Sequence, residues 1–87
     1  MSGVDLSNRD LSGADLRGAN LAGANLTGAR LDGARLNWSV QRYDWNYRRH
    51  TSLEGANLTR ASLVGADFEW ANLNGANFTG ADLREAN

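Results

Sequence analysis

Residues 14–33 read "ADLRGANLAGANLTGARLDG", four consecutive units of five residues that share one pattern. Each unit begins with alanine, has leucine at its centre and ends in glycine. The leucines therefore recur every five residues, a period that matches neither the 3.6 residues of an α-helix nor the two residues of a flat strand. A chain that changes direction once per unit keeps every leucine and alanine on its inner side. The spacing predicts a coil made of short straight sides.

The same unit continues in both directions and is interrupted once. The central apolar residue recurs from Leu6 to Leu36 and again from Leu53 to Leu83, in fourteen units. Stacked coils would pair backbone to backbone at about 4.8 Å, and each coil needs a neighbour to cover its edge. We therefore expect one solenoid domain over 1–87, with repeats at 4–38 and 51–87 and a loop insertion at 39–50.

The central residues are the predicted core, because a leucine or phenylalanine in every unit points to the axis of the coil. The predicted structural core consists of Leu16, Leu21, Leu26, Leu31, Leu36, Leu53, Leu58, Leu63, Phe68, Leu73 and Phe78.

The motif A-(D/N)-L-x-G, seen as "ADLRG" at 14–18 and "ANLAG" at 19–23, resembles that of the pentapeptide-repeat proteins. The resemblance covers the chain outside 39–50. It implies an all-β fold, a right-handed quadrilateral parallel β-helix with four units per coil and about 3.5 coils in this chain.

A fourfold coil makes a prediction about which residues stack. If 39–50 is one insertion at a corner, every fourth unit lies above the last, and pairing across neighbouring strands stabilises the stack. The stacked sets are then Asn25, Asn57 and Asn77 on one face, Asp15, Arg35 and Asp67 on a second, and Trp38 with Trp70 at a corner.

Glycine is the usual last residue of a unit, but it is not the only one. Trp38, Arg60, Trp70 and Glu85 take the same place. Side chains of this size disfavour a positive φ, so the sequence does not predict a positive φ at every corner.

Composition argues against several classes of function. The net charge is -1, cysteine is absent and His50 is the single histidine, which leaves little material for nucleophilic catalysis or metal binding. We expect no enzyme activity, cofactor, metal or small-molecule substrate. No apolar run is long enough for a membrane helix, and the first ten residues lack a signal-peptide pattern, so a cytoplasmic location without membrane contact is expected.

The interruption, "SVQRYDWNYRRH" at 39–50, differs in composition from the repeats. It carries three arginines against one aspartate, about +2, so the rest of the chain is about -3. Tyr, Trp and Arg are the residue types enriched at binding hot spots. The candidate partner-binding residues are Arg42, Tyr43, Trp45, Tyr47, Arg48 and Arg49. The alternative is that Tyr43 or Trp45 packs back on the solenoid and the segment is a tolerated insertion.

These features favour a non-enzymatic scaffold that presents the 39–50 segment to an unknown protein partner. The resemblance implies an alternative, since some pentapeptide-repeat proteins bind DNA gyrase and related topoisomerases by imitating duplex DNA and so protect against quinolones. The weakly acidic body and basic loop depart from that pattern. Weak nucleic-acid contact through the loop, self-association through the uncapped C-terminal coil, and a designed or truncated model solenoid are further readings.

Overall fold

The structure, a computed structural model, describes residues 3–37, 39–40, 48–49 and 51–87. Two short strands occur there, β1 (Ser39–Val40) and β2 (Arg48–Arg49), and no helix. They pair antiparallel, with Ser39 opposite Arg49 and Val40 opposite Arg48. Outside these strands, the straight sides of the coil are held by single-residue bridges, all of them parallel.

The chain is a right-handed quadrilateral parallel β-helix, so the predicted fold class is confirmed. Within each block the bridges join residues 20 positions apart, such as Asp5 with Asn25 and Asn57 with Asn77. Twenty residues per turn make four sides of five residues, which explains why one leucine per unit is enough to fill the axis.

The bridges also continue across the interruption, and each stacked set of residues, or column, keeps its members in line. From Asn20–Ser52 to Arg35–Asp67 they join residues 32 positions apart, twelve more than elsewhere. The predicted stacking of Asn25, Asn57 and Asn77, and of Asp15, Arg35 and Asp67, is confirmed by these bridges. Trp38 lies outside the described residues, so its stacking with Trp70 and the exact repeat boundaries stay predictions.

The core is deepest in the middle of the stack. Its leucines and alanines are almost fully buried because coils cover them on both sides, and each such leucine contributes about 1.5–3 kcal/mol of transfer free energy. Toward the outer coils the burial falls: Leu16, Leu73 and Phe78 are partly buried, and Leu83 is 43% exposed. The buried members of the predicted core are Leu21, Leu26, Leu31, Leu36, Leu53, Leu58, Leu63 and Phe68.

The second position of the unit has a structural role that explains its preference for Asp and Asn. The Oδ1 atom of Asn25 accepts the backbone N–H of Thr27 at 3.1 Å, and Oδ1 of Asp67 accepts that of Glu69 at 3.0 Å. Only a short side chain with an acceptor oxygen can turn back on its own backbone in this way. Each bond satisfies an outward N–H that the ladder between coils leaves free.

In a unit whose second residue does not accept this backbone N–H, a side chain from the adjacent coil accepts it instead. Ser62 is the second residue of one such unit, and there Oδ1 of Asp32, from the coil below, accepts the Val64 N–H at 3.1 Å. The same oxygen also accepts the Ser62 hydroxyl. One carboxylate therefore ties two adjacent coils together.

The sequence left open whether every corner has a positive φ, and the structure answers the question. Every described corner is left-handed: the glycines there have φ between 68° and 73°, and Arg60, Trp70 and Glu85 have φ of 59°, 66° and 60°. Each described corner is a tight turn with two central residues, closed by a backbone bond such as that from the Ala14 N–H to the Leu11 carbonyl at 3.0 Å. The second central residue must take a positive φ whatever its side chain. Glycine dominates because a Cβ atom costs about 1–2 kcal/mol in this conformation.

We predict that Gly65→Ala destabilises the solenoid and Arg60→Gly stabilises it, by about 1 kcal/mol each. A Cβ atom added at Gly65, where φ is +71°, would meet no atom within 4 Å, so the change isolates the backbone effect. Denaturant unfolding followed by circular dichroism measures both. Asn74→Ala, at an exposed position without a positive φ, is the matched control and should change stability by less than about 0.5 kcal/mol. A neutral Gly65→Ala would contradict the prediction.

Candidate interaction site at the interruption

The predicted contact residues fall in two groups. Arg42, Tyr43, Trp45 and Tyr47 lie outside the described residues, so their contact role stays a prediction. Arg48 and Arg49 form β2, and the backbone of β2 pairs with β1. We refer to β1 and β2 together as the stem. Since its two strands are paired, Val40 and Arg48, which flank residues 41–47, lie opposite each other.

The stem stands at a corner between two faces of different charge. One adjoining face carries the Asp15, Arg35 and Asp67 column, and the other carries the uncharged column of Asn20, Ser52 and Asn72. A partner that contacts the stem would meet a column with alternating charges on one side. On the other side it would meet amide and hydroxyl side chains with the carboxylate of Glu54, which accepts a hydrogen bond from Asn72 Nδ2 at 3.3 Å.

Trp70 occupies the corner position that is equivalent to Gly18, in a later coil. Its side chain is 65% exposed, and together with Leu83 it is one of two large exposed apolar residues in the described part of the chain. The sequence placed Trp70 on the same corner as the interruption, and the structure leaves much of its ring open to solvent there.

Thr51, which the sequence analysis did not single out, is the residue that joins the interruption to the solenoid. At other corners the backbone N–H donates directly to the next coil, as from Gly13 to the Asp32 carbonyl and from Gly23 to the Glu54 carbonyl, both at 2.8 Å. The equivalent acceptor for Gly18 would be the carbonyl of Asn37. Instead, the Gly18 N–H donates to Oγ1 of Thr51 at 2.9 Å.

The Thr51 hydroxyl completes the link to the next coil. Its Oγ1 lies 3.0 Å from the Asn37 carbonyl oxygen and 3.2 Å from that of Leu16. The side chain is fully buried. The hydroxyl is thus inserted into what would otherwise be a direct backbone bond between coils, at the corner where the chain leaves the solenoid.

A signal for Thr51 is present in the sequence. Its position in the unit is the inward one that alanine occupies elsewhere, apart from Val4 and Arg9 in the first described coil. A hydroxyl at a core position is costly unless it is hydrogen-bonded, so this single exchange indicates a specific polar contact.

The regular ladder resumes immediately after Thr51. The Ser52 N–H donates to the Ala19 carbonyl at 3.0 Å, and the Leu21 N–H donates to the Ser52 carbonyl at 2.7 Å. Among the described residues, the interruption therefore disturbs only the corner at Gly18. At that corner Oδ1 of Asn37 is buried and has no hydrogen-bond partner among the described residues.

The unit that ends at Gly18 also carries the shortest described ion pair. Arg17 Nη2 lies 2.7 Å from Oδ2 of Asp15, and Arg17 Nε donates to Oδ1 at 2.8 Å. These hydrogen bonds from the Arg17 guanidinium, together with its backbone N–H, lower the pKa of the Asp15 carboxyl to about 2. The same arrangement recurs between Arg84 and Asp82, where it also lowers the pKa of the aspartate.

Within the described ranges, no group of three or more His, Cys, Asp and Glu side chains is placed to hold a metal ion, and no pocket is present. That part of the chain also lacks any helix of the length and apolarity needed to cross a membrane.

Comparison with known proteins identifies the repeat. The family model described as pentapeptide repeats matches residues 1–37 and 51–87, in eight copies. A solved pentapeptide repeat protein, Rfr23 from the cyanobacterium Cyanothece 51142, is 38% identical over 94% of this chain and 48% of its own, with a TM-score of 0.78. HetL from Nostoc sp. strain PCC 7120, a protein involved in heterocyst differentiation regulation, is 43% identical over 95% of this chain and 35% of its own, with a TM-score of 0.47.

The chain thus spans about half the length of Rfr23, or less in the case of HetL. No curated protein matches it.

We predict that Arg17→Ala raises the pKa of Asp15 toward the ordinary value of 3.8, as measured by carboxyl NMR titration. Because the folded pKa lies below the ordinary value, the ionised carboxylate stabilises the fold above pH 3.8, and this stability is lost as the pH falls toward 2. Arg17→Ala should therefore reduce the loss of stability between those pH values. Arg84→Ala is the control and should leave Asp15 unchanged. An Asp15 pKa that stays near 2 in Arg17→Ala would contradict the assignment.

Proposed function

The chain belongs to the pentapeptide-repeat family, and on that premise we propose that it is a non-enzymatic scaffold that presents residues 39–50 to a protein partner. The solenoid supplies a rigid support, and the segment supplies the contact. Proteins of this family are in general structural or interaction proteins rather than enzymes.

One observation carries the proposal, namely that the bridges keep the same columns on both sides of the interruption. Residues 20 apart pair within each block and residues 32 apart pair across the interruption. Twelve additional residues are thus accommodated without a shift of the stack. Insertions in solenoids fall on surface loops, and binding residues are concentrated on loops that a rigid scaffold positions.

The composition of the segment supports a protein partner over other classes. The segment contains three aromatic residues, Tyr43, Trp45 and Tyr47, and three arginines. These residue types are the ones enriched at protein–protein hot spots. A charge of about +2 on a body of about -3 gives weak attraction for nucleic acid, which would fall steeply with salt.

The test compares two baits in a quantitative pull-down from bacterial lysate treated with nuclease. The first bait is the intact chain, and in the second, residues 41–47 are replaced by Asn-Gly, a turn that suits the antiparallel pair of β1 and β2. We expect a protein that the intact bait captures at least about tenfold better, since a partner that loses its contact residues loses more than about 1.4 kcal/mol of binding free energy. Direct binding of the purified protein then confirms the capture.

A third bait, with Tyr43, Trp45 and Tyr47 changed to serine, separates the side chains from the length of the segment. It should behave like the Asn-Gly bait, and circular dichroism should show all three folded. Equal captures by all baits would refute the proposal. Selective capture of a topoisomerase would instead favour the DNA-mimic alternative.

A further inference from the structure

We propose that Thr51 is a positioning residue, whose hydroxyl fixes the orientation of the stem on the solenoid. The stem is β1 (Ser39–Val40) paired with β2 (Arg48–Arg49), and it leaves the solenoid after Asn37 and returns at Thr51. The inference deepens the proposed function, on which it rests for the use that the orientation serves.

The hydroxyl joins three parts of the chain at one point. It accepts the N–H of Gly18, in the coil below, at 2.9 Å. It lies 3.0 Å from the carbonyl oxygen of Asn37, two residues before the interruption. Thr51 is the first residue after the interruption. One buried side chain thus links the coil below to the described residues that flank the interruption on its two sides.

The Asn37 carbonyl depends on this hydroxyl more than the Leu16 carbonyl does. A hydroxyl has one hydrogen to donate. The Leu16 carbonyl already accepts the Ala19 N–H at 3.0 Å, as in every regular unit of the coil. The hydrogen is therefore best used on Asn37, whose carbonyl accepts no other described donor.

The choice of threonine follows from the same geometry. Alanine would fit the inward position but has no hydroxyl to span the distance between Gly18 and Asn37. Valine has the shape of threonine without the hydroxyl, and it would leave the Gly18 N–H and the Asn37 carbonyl unpaired against a methyl group. Serine keeps the hydroxyl and should preserve the link.

The orientation of the stem can be measured without any partner. Residual dipolar couplings of the Ser39, Val40, Arg48 and Arg49 amides report whether the stem is fixed relative to the solenoid, in the intact chain and in Thr51→Ser, Thr51→Val and Thr51→Ala. Hydrogen exchange at the Gly18 amide reports the link itself, and Gly23, whose N–H donates directly to Glu54, is the internal control.

In the intact chain and in Thr51→Ser, we expect the stem couplings to fit the alignment of the solenoid. In Thr51→Val and Thr51→Ala they should shrink, and exchange at Gly18 should accelerate on the order of tenfold while Gly23 stays within about twofold. Fitted couplings in both hydroxyl-free variants would overturn the proposal. Loss of the fold in both, seen by circular dichroism, would also overturn it, because Thr51 would then hold up the solenoid as a whole.

The pull-down separates this inference from the proposed function. Once a partner has been identified, the Thr51→Ser bait should capture it as well as the intact chain does. The Thr51→Ala bait should capture several-fold less of it. If the couplings respond as expected but no bait captures a partner, the proposed function fails and the positioning role stands. If capture depends on the 41–47 segment but the couplings never change, the positioning role fails alone.

Discussion

The structure depends on a left-handed residue at every described corner of the coil. That residue completes the turn between two sides, and below the last coil its N–H points to the coil above, as that of Gly13 does toward the Asp32 carbonyl. The bond fixes the height of the next coil, and the fixed height places each leucine above the last. A single backbone conformation, repeated every five residues, thus produces both the ladder and the core.

The constraint is strict enough that unfavourable residues obey it. Arg60, Trp70 and Glu85 adopt positive φ although each carries a Cβ atom that disfavours it. At these corners an unfavourable backbone conformation is tolerated, and the large side chain is placed on the surface. Trp70 is the clearest instance, because its exposed ring occupies the same corner column as the interruption.

The interruption is accommodated at the corner of Gly18. There a threonine hydroxyl takes the place of the carbonyl that a corner N–H meets in the regular coils, and the ladder is regular again at Ser52. Among the described residues, the change is confined to this one bond, so the columns on either side keep their alignment.

The sequence by itself determined a coil of short straight sides and the identity of its inward residues, because a five-residue period matches neither a helix nor a flat strand. Four sides per coil followed from the resemblance to the pentapeptide-repeat proteins. With four sides, the sequence even determined which residues stack across the interruption, since Asp15, Arg35 and Asp67 align only when twelve residues are set aside. The tertiary structure alone decided the left-handed corners and the role of Thr51. Both depend on where backbone N–H and carbonyl groups of adjacent coils meet, and that meeting is a property of the stack rather than of any one unit.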